Sequence, residues 1–160
     1  MANLSGGSQI FSGDTSVVDT QIRHPLGTRA FDAAGGEYIY LQGVASTAIG
    51  SWASFDEDHV TILLTTNAVG RVGVAMAAIV ASSYGWYQIY GKNTVALGVS
   101  GADVADEPVY TTGTAGSIDD HTGGDASGEM VIGAIIRVAE SSNVCTMELN
   151  YPFCINAAID

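Results

Sequence analysis

From residue 37 to residue 149 the chain reads as short runs of alternating apolar and polar positions, most of them closed by Gly, Asn or Asp. A period of two places successive side chains on opposite faces of a pleated strand. Residues 37–44 put Tyr38, Tyr40 and Gln42 on one face and Ile39 and Leu41 on the other. Residues 60–65 form a second run, ended by Asn67, and residues 71–77 a third with Val72, Val74 and Met76 on one side. Residues 85–91 are bounded by glycine; Trp86, Gln88 and Tyr90 share a face opposite Tyr87 and Ile89. Residues 93–99 alternate through Val95, Leu97 and Val99, and 109–111 make a brief run. Residues 130–138 are apolar on both faces, the mark of a central strand, and 144–149 close the series. Turn signals at intervals of about 8–12 residues predict an all-β fold, an antiparallel β-barrel or sandwich. Helix competes only at the alanine-rich residues 74–82.

Residues 1–24 do not share this pattern. They are rich in Gly, Ser, Asp and Thr, with apolar pairs only at Ile10-Phe11 and Val17-Val18, too polar for a core of their own. They predict an extended N-terminal arm that orders against a neighbour through Ile10, Phe11, Val17, Val18, Ile22 and Arg23. The turn Pro25-Leu26-Gly27-Thr28 opens a single β-rich domain over residues 25–160. A chain of 160 residues suffices for one core without metal or disulfide staples.

Charge narrows the functional classes. Only 14% of residues are charged, against about 25% in a typical domain, while 47% are hydrophobic and 20 are glycine. A surface so poor in charge suits packing against other subunits. Seventeen acids against five cations give a net charge of −12. Arg23, Arg29, Arg71, Lys92 and Arg137 are scattered along the sequence and leave no basic track, so no nucleic acid is expected as a partner. The charge-free run 72–91 contains Ser82, Ser83, Gln88 and three glycines and is read as strand, with no membrane partner expected. The first residues lack a basic region followed by an apolar one, which predicts assembly in a cytoplasm.

Candidate chemistry is sparse. The stretch Asp119-Asp-His-Thr-Gly-Gly-Asp125 offers carboxylates to a hard cation but lacks the ligand spacing of a calcium loop, and reads as a solvated turn. Asp56-Glu-Asp-His59 reads the same way, without the further His or Cys that zinc needs. Cys145 and Cys154 read as buried, reduced thiols; a disulfide between them needs a hairpin at Asn150-Tyr151-Pro152. No nucleophile elbow or phosphate-binding loop is present. No catalytic residue, metal or cofactor is therefore expected, and the chain is not expected to be an enzyme. The aromatics Trp52, Trp86, Tyr87 and Tyr90 allow two readings: a sugar-stacking platform, or burial in the core and at subunit contacts. The second is favoured, with Trp86, Tyr87, Tyr90, Tyr38 and Tyr40 as the expected oligomer interface.

The succession of segments resembles a known group. His24-Pro-Leu-Gly-Thr-Arg29, Gly36-Glu-Tyr-Ile-Tyr40, Gly70-Arg-Val-Gly-Val74 and Tyr84-Gly-Trp-Tyr-Gln-Ile89 are similar to segments of tailed-bacteriophage head decoration, or cement, proteins. So are Glu107-Pro-Val-Tyr-Thr-Thr-Gly-Thr-Ala-Gly116, Val131-Ile-Gly-Ala134 and Glu148-Leu-Asn-Tyr-Pro-Phe153. The resemblance implies a β-rich body, frequently a homotrimer, that binds the major capsid protein on the outer surface of the virion and stabilises the shell by bridging its subunits. It brings no catalytic residues. The alternative is a surface glycan-binding module on the virion.

Overall fold

The computed structural model describes residues 13–102, 104–120 and 128–155. Within them lie ten strands and no helix: β1 Arg29–Phe31, β2 Glu37–Gln42, β3 Trp52–Phe55, β4 Thr61–Leu63, β5 Gly70–Ala75, β6 Tyr84–Leu97, β7 Pro108–Thr111, β8 Ile118–Asp119, β9 Met130–Ser141 and β10 Val144–Cys154. The strand pairs are all antiparallel and run in the order β1-β2-β6-β5-β10-β9-β7-β8, with β3 placed between β5 and β4. The expected all-β antiparallel architecture is present as an open sheet bent over its own core. The alanine-rich residues 74–82 are not helical; β5 stops at Ala75 and turns follow. There Ala77 and Ile79 are buried side chains that hold the turn against the sheet.

Two long strands make the bend. β6 joins the runs expected separately at 85–91 and 93–99, pairing with β2 over its first half and with β10 over its second. Gly91 sits at the changeover with φ +92°, and a Cβ there would press on Gly36 Cα at 3.1 Å. Buried amides secure this corner. Gln88 Nε2 donates to the carbonyls of Tyr90 (3.0 Å) and Lys92 (3.1 Å), and Asn93 Nδ2 donates to Gln88 Oε1 (2.9 Å). Asn93 Oδ1 in turn accepts from Val95 N. A bend in a buried strand frees backbone groups, and these side chains satisfy them.

β10 behaves similarly. Cys145, Met147 and Leu149 point inward, Tyr151 takes φ +50° and is exposed, and Pro152 and Cys154 then point inward. One bulged residue switches which parity faces the core. Pro152 falls between the residues paired with β6 and those paired with β5, where no ladder N–H is required of it. The hairpin considered at Asn150-Tyr151-Pro152 is therefore absent. Cys145 and Cys154 lie at opposite ends of one strand, on the order of 25–30 Å apart. A disulfide needs Cα atoms within about 7 Å, and both thiols are free and buried.

The sheet has cores on both sides. The larger gathers Trp52, Val74, Ile118, Ile136, Met147 and both cysteines. A second holds Ile39, Leu41, Phe55, Ile79, Tyr87 and Ile89, and a third Tyr38, Tyr40 and Trp86. The face assignments expected for β2 and β6 hold: Tyr38 and Tyr40 join Trp86, while Ile39 and Leu41 join Tyr87 and Ile89.

Candidate attachment surface

The described part of the N-terminal segment is fastened to the chain's own body. Asp19 and Tyr84 exchange two backbone hydrogen bonds of 2.8 Å each. The Asp19 carboxylate accepts the Tyr40 hydroxyl at 2.7 Å, and Arg23 N donates to the same Tyr40 oxygen at 3.4 Å. His24 lies edge-on to Tyr40 with ring centroids 5.1 Å apart, and 5.3 Å from Trp86. The cause is the tyrosine: a fully buried phenol requires an acceptor, and Asp19 provides it. Residues 13–24 thus form a strap, with Val17 (47% exposed), Val18 and Ile22 (56%) facing outward. The Arg23 side chain is exposed and 3.8 Å from Asp19. Ile10 and Phe11 lie outside the described residues.

Asp19→Ala is expected to leave the buried Tyr40 hydroxyl without its acceptor at a cost of about 1–3 kcal/mol. Amide exchange at positions 19 and 84 should accelerate while exchange along β9 and β10 stays slow. Unchanged protection at Tyr84 N would show that the strap has another anchor.

The same packing places the residues expected at the oligomer interface. Tyr38, Tyr40, Trp86 and Tyr87 are buried within the chain itself. Tyr90 is the exposed one of the five, at 41%. The Tyr38 hydroxyl donates to Asp32 at 2.7 Å, a bond that holds the Asp32 carboxyl below its ordinary value. Burial, then the bond to Asp19, pushes the Tyr40 phenol up to about 12. The sugar-stacking reading loses Trp52, Trp86 and Tyr87 to the core as well.

Exposed aromatic surface appears instead along the outer side of β10. Tyr90 lies against Tyr151 with ring centroids 5.2 Å apart, and the Arg29 guanidinium sits 5.9 Å above the Tyr151 ring. Beneath them Glu37, buried, accepts from Arg29 (2.7 Å) and from the Tyr151 hydroxyl (2.6 Å). Beside Tyr90 opens a groove of about 380 Å³ lined by Lys92, Arg137, Glu148 and Asn150. Arg137 bridges Asp106 (2.6 Å) and Glu148 (2.8 Å). Around Phe153 a second groove of about 350 Å³ is lined by Asp56, Glu57, Val60, Ile62 and Val69.

The acidic stretches divide. Asp56 closes its own turn by accepting from Asp58 N and Val60 N, both at 3.0 Å, as a solvated loop does. Asp119 and Asp120 are not a solvated turn: both are buried, Asp119 ends β8, and Asp120 accepts from Val104 N at 2.9 Å. His121 and Asp125 lie outside the described residues. Among the described residues no three His, Cys, Asp or Glu side chains gather to hold a metal, and no helix is long and apolar enough to cross a membrane. Sequence reasoning missed Asp19, Asp32 and Glu37 as partners of tyrosine hydroxyls. Their side-chain partners lie 6 to 114 residues away, so no local spacing announces them.

The ten-stranded open antiparallel sheet defines the chain as an all-β protein, and that fold has a known counterpart. It matches a chain from the capsid of Myoviridae phage XM1, with a TM-score of 0.52 and 15% sequence identity, covering 92% of this chain and 98% of that chain. At this identity the likeness is one of fold. No family model matches the sequence, and no curated protein matches it.

Proposed function

We propose that the chain is a structural component of a phage virion, bound to the outer surface of the capsid and stabilising it by bridging neighbouring major capsid proteins. The reading includes a homotrimeric body and assigns no catalytic residue, metal, cofactor, nucleic acid or membrane partner. The observation that carries it is the shared fold with a chain of a phage capsid over nearly the full length of both. The charge pattern supports it: a −12 protein is disfavoured near packaged nucleic acid and favoured outside the shell. The strap adds a means of attachment. Val17, Val18 and Ile22 protrude from a segment already ordered by Asp19, so docking them costs less ordering than a free arm would require. The glycan-binding alternative retains Tyr90 alone of its original four aromatics.

The test uses particles assembled with and without the protein and challenged by heat or low salt. Raised rupture thresholds are expected with it present; equal thresholds count against reinforcement. Replacing Val17, Val18 and Ile22 together by serine leaves the body folded and should lower particle occupancy by about tenfold or more, as expected for losing the apolar centre of a contact. Undiminished occupancy would remove the strap from attachment.

A further inference from the structure

We infer that two unlike patches on this chain bind each other across copies: the groove beside Tyr90 and Lys92 in one copy receives the acidic loop of residues 56–58 from the next. This deepens the trimer proposed above by naming its contact, and rests on that reading only in requiring copies to meet.

The receiving patch is aromatic with a free cation. Tyr90 and Tyr151 are 41% and 50% exposed and pack against each other with ring planes tilted by 32°, and the 380 Å³ groove runs from Tyr90 past Lys92. Its other cations are engaged, Arg137 by Asp106 and Glu148 and Arg29 by Glu37. Lys92 is exposed, and its ammonium pairs with no carboxylate among the described residues. The donating patch has the opposite charge on a similar apolar base. Glu57 and Asp58 are exposed and pair with no cation among the described residues. Beside them Ile62 (68% exposed) stands out on β4, an edge strand bonded to β3 alone among the named strands, and Val69 (61%) in the connection before β5. Apolar centres with charged rims are the usual make-up of protein contacts, and an apolar edge strand invites a partner.

Charge selects a second copy as that partner. A −12 molecule repels its own kind over most of its surface. Bringing Lys92 against Glu57 and Asp58 replaces that repulsion with attraction at one defined contact, and both halves are present on every copy. Two unlike patches joined head to tail make a heterologous interface, which closes into a ring when the rotation allows.

The experiment is sedimentation equilibrium on the full chain in solution, without particles, so it is independent of capsid attachment. Wild type is expected to associate, more weakly at high salt. Lys92→Glu and Glu57→Lys should each weaken association by about tenfold or more, and the two together should restore it. Both positions are exposed, so unchanged near-UV circular dichroism reports an intact fold. A monomer at all concentrations, reversals without effect, or a double variant no better than either single one overturns the inference. Binding of a sulfated glycan by a monomeric wild type, lost in Lys92→Glu, also overturns it and assigns the groove to carbohydrate. Self-association without particle binding would leave the inference standing and sink the capsid role.

Discussion

Trp52→Ala is expected to lower the unfolding free energy by about 3–5 kcal/mol, the range for deleting a buried tryptophan. Trp52 is fully buried and the largest side chain of the main core. It sits on β3, whose neighbour β5 pairs Val74 directly with it. Val74 and the rest of that core are themselves buried and close-packed, so the void has little room to collapse. For a chain of this size each kcal/mol corresponds to about 2–4 °C in Tm. Chemical denaturation checks the prediction, and a loss below about 1 kcal/mol would mean the core repacks. Trp52→Phe should cost less than the alanine change. The indole N–H has no acceptor among the described residues, so phenylalanine removes volume without removing a hydrogen bond.

The second large effect is alkaline. Burial pushes the Cys145 thiol up to about 11 and the Cys154 thiol up to about 12, from an ordinary 9.0. Tyr40 is raised to about 12, and Tyr38 and Tyr87 are raised, in each case chiefly by burial. Tyr151 is raised chiefly by its bond to Glu37. In the unfolded chain these groups lose their protons near their ordinary values of 9.0 and 10.0. Above that point the unfolded state binds fewer protons than the folded one, so stability falls as pH rises. The contribution is complete below about pH 9 and disappears between about pH 10 and 12. Urea midpoints measured across that window should fall as tyrosinate absorbance, followed in parallel, rises. A midpoint still constant at about pH 11 would show that these groups ionise without opening the core.

What the sequence made legible follows from which signals are local. Strands β2, β5 and the first half of β6 announce themselves because one face differs chemically from the other, and β9 because its apolar run is long and unbroken. β3 has no such contrast: Trp52, Ala53, Ser54 and Phe55 are all buried, and four residues are too few for a period to show. β1 and β8 are shorter still. The unity of β6 and of β10 was hidden by Gly91 and by Asn150-Tyr151-Pro152, which resemble turn chemistry. Only the neighbouring strands show that these residues bend or bulge a strand and do not end it. The site was less legible than the fold. Sequence marks Tyr38, Tyr40, Trp86 and Tyr87 as aromatic, and long-range packing alone decides that Tyr38, Tyr40 and Trp86 face inward on the strap's side, Tyr87 inward on the other, while Tyr90 and Tyr151 face outward.

The separation of Cys145 from Cys154 gives the molecule a built-in clock. Each thiol is sealed in the same core but at a different end of β10, so neither reacts with an alkylating agent until its own end is exposed. Equal labelling rates would mean that the strand is released as one cooperative unit, and unequal rates would name the end that frays first.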